Sequence, residues 1–63
     1  MTSFAELADE VAALEQRVSD AVFDAVRAQL RGDEDAQHVE RQLARARRSL
    51  QKAEAILRGV SDD

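Results

Sequence analysis

Two long segments of helical period flank a single break, Gly32-Asp33, and no proline interrupts either of them. In the first segment the apolar positions are Phe4, Leu7, Val11, Leu14, Val18, Ala21, Ala25 and Ala28. Their steps alternate between three and four, which lines one face of a helix. Ser3 and Glu6 have the spacing of a capping box, and Glu6, Asp9 and Glu10 put acid at the positive end of the helix dipole. Arg27 and Arg31 fall in the last turn, where cations suit the dipole. Gly32 then suits a left-handed residue just past the helix end.

Asp33 is placed to cap the second helix, and Glu34 and Asp35 add acid to its first turn. The expected helices cover residues 3–31 and 34–58 around a turn at 32–33. Gly59 is expected to end the second helix and leave 59–63 as a frayed tail. A connection this short makes the helices antiparallel neighbours. The fold class is therefore all-α: one domain over 1–63, an antiparallel two-helix hairpin.

The second helix carries the more regular heptad. Ala36, Leu43, Leu50 and Leu57 share one position, and Val39, Ala46, Ala53 and Val60 share another. Layers of Leu alternate with layers of Ala, so facing backbones can approach closely. Charge favours the same pairing. Residues 3–31 hold six acids and three bases, whereas 36–58 hold two acids and six bases. Exposed pairs contribute only about 0–1 kcal/mol each, so these charges select a register more than they stabilise it.

A hairpin of 63 residues buries little of its surface and usually needs a staple. Cysteine is absent, and there is one histidine, so disulfides and a self-contained zinc site are excluded. Oligomerisation is the remaining common route. The apolar stripe also widens near the turn. Val22, Phe23, Val26 and Leu30 lie beside the Ala21/Ala25/Ala28 seam, and Ile56 lies beside Leu57. A broad stripe suits a helix with more than one neighbour. These five residues form the expected interface with another chain, with Phe23 as its anchor. The simplest closed arrangement is a homodimer pairing into a four-helix bundle. Docking on a larger protein is the other route.

Function classes separate less sharply. Arg41, Arg45, Arg48 and Lys52 recur at steps of four, three and four, with no acid between the first and the last. Such a stripe can track a phosphate backbone or an acidic partner. Against nucleic acid stand a net charge of −4 and the lack of Trp and Tyr for stacking. His38 follows Asp35 by three, a spacing used by metal ligands in helical bundles, but it sits on the polar side near the turn and reads as a surface histidine. Arg31-Gly32-Asp33 spells an adhesion tripeptide, and the turn accounts for each of its residues.

No nucleophile–base pair or glycine-rich phosphate loop is present. The expectation is a non-enzymatic protein with no cofactor and no small-molecule substrate. No apolar run reaches the ~20 residues of a membrane span, and the expected location is the cytoplasm. The leading reading is a small protein–protein interaction module: an adaptor, an assembly or accessory subunit, or a regulatory factor. A nucleic-acid-binding regulator using the basic stripe is the alternative.

Overall fold

The computed structural model describes residues 3–61. Helix α1 covers Phe4–Leu30 and helix α2 covers Asp35–Ser61. They pack side by side along their whole length as an all-α hairpin with backbone extents of 49 × 14 × 14 Å. No described helix is long and apolar enough to cross a membrane.

The ends of α1 follow from local chemistry. The Glu6 N–H donates to Ser3 Oγ at 3.3 Å, which satisfies one of the donors left open in the first turn. The reciprocal half of the box, from the Ser3 N–H to the Glu6 carboxylate, does not form among the described residues. At the other end, the Gly32 N–H donates to the Gln29 carbonyl and the Asp33 N–H to the Ala28 carbonyl, both at 3.0 Å. Gly32 has φ +96°. Together these bonds make a Schellman closure, for which glycine is the natural residue. Asp33 then starts α2, its Oδ1 accepting from the Asp35 N–H at 3.0 Å.

Gly59 does not end α2. The helix runs through Val60 to Ser61, so the expected tail is helical as far as it is described. Residues 62–63 of that tail lie outside the described residues. Glycine costs a helix interior only about 0.5–1 kcal/mol, and the packed turns before it carry the helix past that cost.

The core differs from the expected seam in a systematic way. In α1 the most buried residue is Ala8, with Ala25 next. Val11, Glu15, Val18 and Val22 are half-buried between the helices, as are Leu7, Ala21 and Ala28 of the expected seam, while Leu14, also expected there, is 44% exposed. In α2 the Ala36/Leu43/Leu50/Leu57 row faces α1 as expected. Its inner companion is not the Val39/Ala46/Ala53/Val60 row. Glu40 and Glu54, from the next row round, are half-buried, although Arg47 between them is exposed; of the expected row Ala53 is half-buried and Val39, Ala46 and Val60 are exposed. Each helix is thus turned by one heptad row, about 50°, from the seam read off its apolar pattern. A heptad pattern marks how wide a stripe is; it does not mark which half of the stripe meets the first neighbour.

Candidate interaction surfaces

The hairpin interior is made of small residues. Among the described residues the buried apolar ones are Ala8, Ala25 and Ala36, and no large side chain is fully buried. Phe4, Leu14, Phe23, Leu30, Val39, Ile56 and Val60 are between 44% and 83% exposed. Because both helices are turned the same way, the unused halves of the two stripes emerge together. Ala21 and Ala28 of α1 and Val39 of α2 line one shallow depression of 330 Å³, floored by Ala25, Ala36 and Leu43. Leu14 shares a heptad row with Ala21 and Ala28, and Ala46 and Ala53 share one with Val39. Ile56 lies at the outer rim of that flank, 60% exposed.

The opposite flank is marked by the ion pair from Arg58 to Asp9 at 3.2 Å. Asp9, Phe23 and Leu30 occupy one heptad row, so Phe23 and Leu30 emerge on this second flank. The five residues expected as one interface therefore divide. Val22 is half-buried between the helices, and Val26 is half-buried at the edge below Phe23 and Leu30. Ile56 stands on the other flank, about 16 Å away along the rod at 1.5 Å per residue. Phe23 and Ile56 do not meet, and the expected single patch is two separate apolar edges. The sequence signal that divides them is the heptad spacing of Asp9, Phe23 and Leu30, steps of fourteen and seven, which sets those two apart from Leu14 and Ala21.

A cluster that periodicity does not reveal lies between these flanks. Glu15 and Glu54 approach across the hairpin. Arg58 Nε donates to Glu54 Oε2 at 2.7 Å, while its other arm reaches Asp9. Glu15 Oε2 is shielded from solvent and no donor reaches it. Its neighbour is the Glu54 carboxyl. The approach of that carboxyl, then desolvation and the charge of Glu54, raise the pKa of Glu15, against the opposing pull of Arg47 and Arg58. Glu54 is lowered by the bond from Glu15 and then by Arg58. The guanidinium of Arg58 is raised by its bonds to Glu54 and Asp9.

Arg41, Arg45, Arg48 and Lys52 are all exposed on the outer face of α2, and none makes an ion pair among the described residues. His38 is exposed too, in the same heptad row as Arg45 and Lys52. Among the described residues there is no group of three or more His, Cys, Asp or Glu able to hold a metal ion.

No protein-family model matches this chain, no curated protein is significantly similar to it, and no solved structure matches its fold.

Proposed function

We propose that this protein is a non-enzymatic interaction module, a helical hairpin completed by a second chain, whether another copy or a larger partner. The observation that carries this reading is the state of the core. Two helices of 27 residues each bury three alanines and leave their large apolar side chains partly in water. Each large apolar side chain is worth about 1.5–3 kcal/mol when fully buried, and the lone hairpin collects only part of that. A four-helix arrangement covers the flank of Leu14 and Val39, and the edge of Phe23 and Leu30 offers a second contact. Adaptors, assembly subunits and regulatory factors are the roles such a module fills.

Sedimentation equilibrium and helical melting over a concentration series test the reading. The expected result is self-association with a melting temperature that rises with concentration, or, for a chain dedicated to another protein, a weakly cooperative monomer. A stable monomer with a sharp, concentration-independent melt at micromolar concentration overturns it.

One observation favours a second reading, nucleic-acid binding: the four cations on the outer face of α2 stand exposed and without ion-pair partners among the described residues. They face away from the Leu14/Val39 flank, so an assembly through that flank leaves them open. A gel shift at low and moderate salt tests it, with Arg45→Glu/Arg48→Glu as the control. Retardation that salt weakens and the charge reversal removes supports this reading.

A further inference from the structure

Helix α1 carries a self-complementary charge pattern on one rim. On the rim of the Leu14/Ala21 row, α1 presents Glu10, Arg17, Asp24 and Arg31, each seven residues from the next and alternating in sign. This series is its own complement when reversed about a point between Asp20 and Ala21. A twofold axis there sets Glu10 against Arg31 of a second copy and Arg17 against Asp24. Residues of one heptad row face their own row across an antiparallel helix pair, so these contacts are sterically natural.

The register of the hairpin says where that axis meets α2. Asp9 is level with Arg58, and Glu15 with Glu54. Averaged over these two contacts, the point between Asp20 and Ala21 is level with Arg47 and Arg48 to within about one residue. About that point Val39 falls level with Ile56 of a second copy and Ala46 with Ser49, in neighbouring rows, while Ala53 falls level with Gln42 and Val60 with Asp35. The small residues Ala46 and Ser49 lie nearest the centre, where two backbones come closest.

We infer that the Leu14/Val39 flank is a homodimer interface in which a second copy packs antiparallel, α1 on α1 and α2 on α2, about a twofold axis at the level of Ala21. Ile56 of the second copy then lies level with Val39, at the outer rim of the α2 pair. A face of 49 by 14 Å at the backbone is on the scale of the ~800 Å² per partner of a standard interface. This inference rests on the reading that a second chain completes the core, and it names that chain as another copy.

The absence of cysteine makes disulfide trapping a clean test. Ala21→Cys sits beside the axis and is expected to form a disulfide-linked dimer in mild oxidant. Ala44→Cys, on the opposite flank, is expected to remain reduced. In a second arm, Arg17→Asp and Asp24→Arg each weaken dimerisation, by about tenfold for two symmetric contacts, while the combined exchange restores it. A dimer that fails to crosslink at Ala21→Cys and gains nothing from the combined exchange overturns this geometry and leaves the interaction-module reading standing. A dimer trapped at Ala44→Cys does the same. A cooperatively folded monomer at every concentration overturns both.

Discussion

Glu15 and Glu54 meet carboxyl to carboxyl across the hairpin, and Arg58 holds the second of them at 2.7 Å. Glu15 is raised above its ordinary value of 4.5, so its contribution is full below that value and is lost as pH rises through the raised folded value. Glu54 is lowered, so its contribution is present above its ordinary value and is lost as pH falls through the lowered one. Near neutral pH the two charges repel in a half-buried layer. Glu15→Gln keeps a donor toward Glu54 and removes one charge. It is expected to raise the melting temperature at pH 7, with a gain that shrinks toward pH 4. Thermal melts by circular dichroism at both pH values decide this, and a lower melting temperature at pH 7 rejects carboxylate repulsion as the cause.

The two glycines are expected to respond in opposite senses. Gly32 has φ +96°, with open space where a Cβ would stand. Gly32→Ala therefore costs backbone strain alone, about 1–2 kcal/mol. Gly59 lies inside α2, also facing open space, and Gly59→Ala is expected to stabilise by about 0.5 kcal/mol. Urea titrations of both variants beside the parent measure this; the same sign for both contradicts the helical placement of Gly59.

Each helix start rests on one side chain. Ser3→Ala removes the acceptor for the Glu6 N–H, and Asp33→Ala removes the acceptor for the Asp35 N–H. Each is expected to cost about 1 kcal/mol. Ser and Asn should substitute well for Asp33, and a Ser variant that melts as low as the Ala variant shows that the cap is not the cause.

The two apolar edges can be separated by charge. Val39→Asp puts an unpaired carboxylate into the inferred dimer face and is expected to weaken dimerisation by more than about tenfold. Phe23→Asp lies on the other flank and should change dimer affinity by less than about twofold. Sedimentation equilibrium of both variants reads this out. The reverse ranking assigns the dimer to the Phe23/Leu30 edge.

Much of this architecture is legible in the sequence. The Ser3 cap, the Gly32 closure, the Asp33 start and the antiparallel pairing all come from short-range rules in which a residue meets neighbours two to five positions away. What periodicity cannot supply is the rotation of each helix about its own axis. Leu14 and Val39 read as seam residues and stand at an edge, because the turn sets which half of each stripe the partner helix takes. For the same reason Phe23 and Ile56 read as one patch and lie on opposite flanks. The Glu15/Glu54 contact depends on the register of residues far apart in sequence, which no local pattern encodes.

An interior built on Ala8, Ala25 and Ala36 has a calorimetric consequence. The heat-capacity increment of unfolding grows with the apolar area exposed, and globular chains average about 12–15 cal/mol/K per residue. A lone hairpin that covers so little apolar surface releases little more when it melts. Its increment falls below that range, and its free energy changes with temperature along a nearly straight line in place of a dome. Covering the Leu14/Val39 flank bends the line back. The curvature of the stability curve thus gauges how much of the molecule's apolar surface is sheltered from water.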